Sequence, residues 1–277
     1  MAASLGTLFS DTFAHLQKNL ITIAVGVVVF GVIMAGMNWY MAGQVKGTFG
    51  MMGIDTNRME ELAKQAESGD QAALQEMMGE VQKNFGNLEE SDMENLATSM
   101  YSKMGPVALF FGLISALVFM VAMTYYTVVA LKSSDVQGTV SDVLKLLLPM
   151  IGLQIWMFLR SFAWIPIAGP ILAIVLGPRF ILAPVILIRE KKSVFESASL
   201  SYARTKGYWG KIFGNMFVVA IVGVISVAIL SRIASVLGTE VAIVVTALLG
   251  QVFVVTVITF ATKLAVSILN GGKMKAA

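Results

Sequence analysis

Cysteine is absent from the 277 residues and histidine occurs once. Without thiols the chain has no disulfide, no thiolate nucleophile and no thiolate metal site. His15 has no second histidine with which to share a metal, and no HExxH, CxxC or GxxxxGK[ST] pattern occurs. Charge is scarce as well, at 13% of residues against roughly 25% in an ordinary soluble chain. Hydrophobic residues make up 57% and the mean hydropathy is +0.78, which defines an integral membrane protein. A net charge of +3 is too small for a nucleic-acid footprint and serves orientation in a bilayer instead. No nucleic-acid partner and no cofactor is expected.

The apolar residues fall into six runs long enough to cross a bilayer: Leu20–Tyr40, Pro106–Leu131, Met150–Ile165, Ile171–Ile188, Ile212–Val236 and Val241–Thr262. Asn38-Trp39-Tyr40 ends the first as an aromatic belt, and Gly31 with Ala35, or Gly112 with Ala116, offers a small face for a neighbouring helix or a second copy of the chain. Amphipathic segments precede each pair of spans: Ser4–Asn19, Val140–Leu148 and Ser193–Arg204. The fold expected is therefore all-α, a polytopic six-helix membrane bundle built as three units of elbow helix plus hairpin. In the first elbow Leu5, Leu8, Phe9, Thr12, Phe13 and Leu16 share the apolar side, and His15 is expected at the interface.

Residues 44–105 form the one long polar region, between a first segment 1–43 and a membrane domain 106–270, with a tail 271–277. Three short helices are predicted there: one near Asn57–Ala66, a second capped by Asp70, and a third opened by a Ser91/Glu94 capping box. From Gln44 to Met104 there are eleven acidic residues against five basic ones, so the region is expected outside the cytoplasm. With both termini cytoplasmic, twelve Lys and Arg fall at the inner face and seven at the outer. That points to a cytoplasmic (inner) membrane. Met59, Leu62, Met77, Met78, Phe85, Met93 and Met100 form stripes suited to a small core or to docking an envelope protein.

Arg179 lies roughly nine residues, about 14 Å, from the inner end of its predicted span. Burying it there costs at least about 2.5–3.5 kcal/mol, so it requires partners or water. Pro178 and Pro184 free the carbonyls of Ile174 and Phe180, and this broken helix is the candidate intramembrane polar site. Arg189, Lys191, Lys192, Arg204, Lys206 and Lys211 surround the following amphipathic segment and suit anionic lipid head groups.

The run Arg179-Phe180-Ile181-Leu182-Ala183-Pro184, the turn Arg189-Glu190-Lys191-Lys192, the helix with Phe195-Glu196-Ser197-Ala198 and Ser201, and Lys206-Gly207-Tyr208-Trp209 resemble one family. That family is the membrane domain of glycerophosphoryl diester phosphodiesterases and related six-helix inner-membrane proteins. The resemblance implies a membrane module; no attached catalytic domain is expected, so the diesterase activity is not expected to carry over, and residues 44–105 have no counterpart in the family. The expectation is a non-enzymatic scaffold or assembly partner in the envelope. A transporter or lipid-handling protein with Arg179 on a polar path is the alternative.

Overall fold

The computed structural model describes residues 3–51, 55–67, 69–85, 90–132, 135–162, 164–236 and 238–273. Every regular element among them is helical: α1 Leu5–Lys18, α2 Leu20–Met51, α3 Thr56–Glu67, α4 Gln71–Phe85, α5 Glu90–Lys132 and α6 Val136–Arg160. After these come α7 Ala168–Leu176, a 3-10 turn Gly177–Phe180, α8 Ala183–Arg189, α9 Val194–Arg204, α10 Trp209–Ser235 and α11 Thr239–Lys273. Six stretches are long and apolar enough to cross a membrane: Leu20–Gly50, Met104–Lys132, Val136–Arg160, Ala168–Arg189, Trp209–Ser235 and Thr239–Gly271. The protein is an all-α, multi-pass membrane helix bundle.

The chain divides into two compact units, residues Met1–Ala35 with Ala116–Ala277, and residues Gly36–Ser115. In the first unit α10 and α11 pack along one another, α1 lies against α11, and α8 and α9 pack together. One core gathers Leu8, Leu182, Ile186, Ile212, Phe260 and Leu264. Another centres on Phe30, Tyr125 and Tyr126, whose ring centroids are 5.6–5.8 Å apart. The Tyr125 hydroxyl donates to the Thr22 carbonyl at 2.6 Å and the Tyr126 hydroxyl to Gln251 Oε1 at 3.2 Å, so α2, α5 and α11 are tied by bonds that apolar surroundings cannot replace. Elsewhere Val25, Val28, Ile225 and Ile229 are exposed, as faces turned to hydrocarbon must be.

Gly36–Ser115 is organised around an α3–α4 hairpin. Asp55 Oδ1 accepts from the backbone of Asn57 and Arg58, Asp70 Oδ1 from Ala72 and Ala73, and Gly69 adopts φ +96° between the helices. Arg58 Nη2 joins Glu76 at 2.6 Å across the pair. The Asp70 cap is as the sequence predicts. The third short helix is not separate: Ser91 and Glu94 lie inside α5, which runs without interruption through Pro106. Likewise α2 continues past Tyr40 to Met51: Gly43, Gly47 and Gly50 weaken this stretch, but no proline interrupts its hydrogen-bond ladder.

Two further expectations are modified. Val140–Leu148 is fused to the third span as the first half of α6, which Asp135 caps through the Gly138 amide and which accommodates Pro149 internally. In α1 the buried stripe is Leu8, Thr12 and His15, while Phe13 is 57% exposed. The stripe turns toward His15 because Lys263 and the Val129 carbonyl supply it with partners, whereas Phe13 needs only hydrocarbon.

Small residues permit the close approaches. A Cβ on Gly26 would stand 2.6 Å from Tyr125 Cε1 and 2.9 Å from Tyr126 Cε1, and a Cβ on Gly31 would stand 2.6 Å from Leu248. Since both tyrosines are held by their hydroxyls, Gly26→Ala is expected to lower stability by about 1–3 kcal/mol through overpacking. Gly214→Ala, with nothing within 4 Å of the added carbon, should not. Thermal unfolding of both variants in one detergent checks this; equal midpoints would contradict it.

Candidate functional site

The fourth span changes direction at its middle. Pro178 and Pro184 have no N–H to donate, so the α-helical ladder cannot continue through them and a 3-10 turn intervenes. In an apolar setting each released backbone group needs another partner. The Ser201 hydroxyl on α9 takes two of them, donating to the Arg179 carbonyl at 2.7 Å and accepting from the Leu182 amide at 3.1 Å. Thr205 Oγ1 also reaches the Arg179 carbonyl at 3.3 Å, and the Trp209 indole donates to the Val175 carbonyl at 2.7 Å. Residues that the sequence groups only as a motif are thus a hydrogen-bonded junction. The carbonyls satisfied across it are those of Val175 and Arg179, one residue away from the Ile174 and Phe180 expected of straight α-helix.

The α9 helix is built to serve this junction. A full capping box starts it, with Ser193 Oγ accepting from the Glu196 amide and Glu196 reaching back to the Ser193 amide. Its buried side, Ser197, Ala198 and Ser201, meets α8, and Gly207 at φ +86° turns the chain into α10.

Arg179 is therefore not halfway down a straight helix. Its backbone lies beside Thr205, one residue before Lys206, and its guanidinium carbon stands 5.4 Å above the Tyr202 ring centroid, a cation–π arrangement. The 14 Å depth inferred from sequence assumed continuous helix, which Gly177–Phe180 removes.

Behind the junction lies a cavity of about 550 Å³. Pro178 and Pro184 line it, together with Met123 and Thr127 of α5, Met157 of α6, Met216 and Phe217 of α10 and Thr262 of α11. Arg179 does not. The polar atoms at the wall are a few hydroxyls, of which that of Thr127 is engaged with the Met123 carbonyl at 2.7 Å. Such a surface cannot stabilise a charge; it holds apolar matter.

A second polar cluster joins α1, α5 and α11. Lys263 Nζ lies 3.1 Å from His15 Nδ1, and His15 Nε2 lies 3.1 Å from the Val129 carbonyl. The ammonium donates to Nδ1, so the ring is neutral with its proton on Nε2, directed at the carbonyl. Burial, then the Lys263 charge, holds the His15 pKa below its ordinary value of about 6.5, against the Val129 bond, which raises it. His15, expected at the interface, is a buried tie between helices. Among the described residues no cluster of three metal-ligating side chains occurs.

Of the basic residues expected at head groups, Arg204 pairs with Glu190, and Lys192 reaches Glu196 at 3.8 Å. Lys191 and Lys192 line a recess described below, whereas Arg189, Lys206 and Lys211 do not. In the unit Gly36–Ser115 Leu62 is fully buried and cannot dock a partner; Met59 and Met77 are half-buried and Met78 is 63% exposed. The side chains of Phe85, Met93 and Met100 lie outside the described residues.

The chain matches no protein-family model, no curated protein and no solved structure. None of these comparisons supports the expected likeness to the diesterase membrane domain; the residues that suggested it include those of the junction above.

Ser201→Ala should cost about 1–3 kcal/mol, because it strands a buried amide. Ser197→Ala is expected to be neutral or stabilising, since the Ser197 hydroxyl is buried without a partner among the described residues. Unfolding midpoints of the two variants measure the contrast, and a reversed order would refute the junction.

His15 yields a pH dependence of definite sign. With the folded pKa depressed, the unfolded chain binds the proton first, so stability is full above about pH 6.5 and declines as pH falls toward the folded value. Melting between pH 8 and 5, with His15→Asn as the non-titrating reference, should show a steeper loss in the parent; parallel curves would remove His15 as the cause.

Proposed function

We propose that this protein is a lipid-handling component of the cytoplasmic membrane that accommodates a hydrocarbon chain in the cavity behind its broken fourth span. The observation that carries this reading is the cavity itself. Its volume, about 550 Å³, falls in the range of about 300–1,000 Å³ typical of small-ligand sites. Its wall is methionine, phenylalanine and aliphatic carbon, and methionine adapts to chains of varied shape. A bilayer supplies such chains at high concentration. The excess of Lys and Arg at the end bearing Lys18, Lys206, Lys211 and Lys263 favours placing that end, and both termini, in the cytoplasm. Reactive side chains are lacking from the wall, so the role is binding or passage of lipid and not its chemical conversion.

A photoactivatable fatty acid incorporated into phospholipid tests the reading. Crosslinks are expected on Met157 and Met216, and fewer with the cavity-filling variants Ala173→Phe and Ala261→Phe. Crosslinks confined to bilayer-facing residues such as Val28 and Ile225, unchanged by filling, would overturn it.

A second reading, an assembly partner in the envelope, draws support from α4, where Leu74 is 45% and Met78 63% exposed one helical turn apart on an otherwise polar helix. Crosslinking from these two positions in native membranes would expose a stoichiometric partner.

A further inference from the structure

Beside the start of the third span the structure holds a second recess, about 500 Å³ in volume, of opposite character to the cavity. Lys132 ends α5, Lys145 stands on the first half of α6, and Lys191 and Lys192 form the turn before α9; all four line it, with Asp142 the one carboxylate. Asp142 is already engaged, with its Oδ2 2.8 Å from Lys132 Nζ. Among the described residues Lys145 and Lys191 form no ion pair. Two ammonium groups thus share one recess with no carboxylate to neutralise them.

Several further observations converge on this place. Lys191 has φ +51°, a left-handed backbone unusual for a lysine, and it lines the recess. Ser193 and Val194, the N-cap and first residue of α9, line the recess as well, adding the positive end of an eleven-residue helix. Apolar surface lines the same recess, from Leu146 and Pro149 of α6, Leu187 and Ile188 of α8 and Val194 of α9. Lysines and apolar side chains sharing a recess between helices match the two ends of an anionic lipid.

From this arrangement we infer that the recess binds a phosphate group, with Lys145 and Lys191 as its principal ligands and Lys132 and Lys192 completing the field. The phosphate is that of a phospholipid head group or a soluble phosphate ester, which share the recognising chemistry. The site is independent of the chain-binding cavity, since no residue lines both.

The full-length protein, delipidated in neutral detergent, would be titrated with phosphatidic acid, with phosphatidylcholine, and separately with inorganic phosphate, and examined by native mass spectrometry. Phosphatidic acid is expected to be retained over phosphatidylcholine, and Lys145→Gln with Lys191→Gln to weaken it roughly thirtyfold, at about 1 kcal/mol per lysine. Lys206→Gln, at the turn before α10 and outside the recess, is expected to change little. Inorganic phosphate competing with equal effect would assign the site to soluble phosphate; retention of the lipid alone would assign it to a head group. Unchanged retention in the double variant, or an equal loss with Lys206→Gln, would overturn the site. Near-parental melting of the double variant separates lost binding from lost folding.

Discussion

The Ser201 hydroxyl is the constraint on which the rest of the structure turns. A transmembrane chain cannot simply stop being a helix, because an orphaned amide or carbonyl in hydrocarbon costs several kcal/mol. Here one side-chain oxygen accepts from the Leu182 amide and donates to the Arg179 carbonyl, so it closes both sides of the break at once. Thr205, at the end of α9, and Trp209, at the start of α10, complete the closure. That arrangement needs α9 folded back along α8, which in turn needs the capping box at Ser193 and the left-handed Gly207 at its far end. The break is thus stabilised by residues some twenty positions downstream, and the cavity behind Pro178 and Pro184 exists because the break does.

How much of this could be read from sequence follows from which interactions are local. The six spans were legible because length and hydropathy determine a membrane crossing, and the Asp70 cap because a cap acts within three residues. Both prolines were visible as ladder breakers. Which carbonyls would be satisfied, and by what, was not visible, since that depends on the exit direction of the 3-10 turn. The depth inferred for Arg179 rests on a uniform α-helical rise, which the 3-10 turn at Gly177–Phe180 does not share. His15 was placed at the interface because its partners, Val129 and Lys263, are 114 and 248 residues away. The Ser91/Glu94 pair falls at the described start of α5, Glu90, so a helix beginning there was legible, whereas its continuation into the second span was not.

Lysine is used in two physically distinct ways at the same end of the first unit. Lys263 is drawn into the packing and held by a neutral imidazole, which satisfies the ammonium without a carboxylate and lets α1 settle on α11. Lys132 and Lys192 are partly neutralised by Asp142 and Glu196. Lys145 and Lys191 are not, although Asp and Glu are plentiful elsewhere in the chain. Counting basic residues for orientation treats all of these alike; the geometry separates those that hold helices together from those that face an open recess.

That separation bears on selectivity. The 550 Å³ cavity has methionines at Met123, Met157 and Met216, side chains whose flexibility lets them repack, and its hydroxyls are few and already bonded where Thr127 is concerned. Such a wall discriminates weakly, because one methylene more or less changes binding by only about 1–3 kcal/mol and adaptable walls reduce even that. Discrimination among lipids must therefore come from polar groups held in fixed positions. In the first unit Lys191 has that character: its backbone is left-handed, a capped helix follows it, and among the described residues it forms no ion pair. A protein that distinguished lipids by chain would need a rigid, aromatic cavity and could leave its head-group end undecorated. This one has the opposite distribution, which is the distribution that the proposed head-group recognition requires.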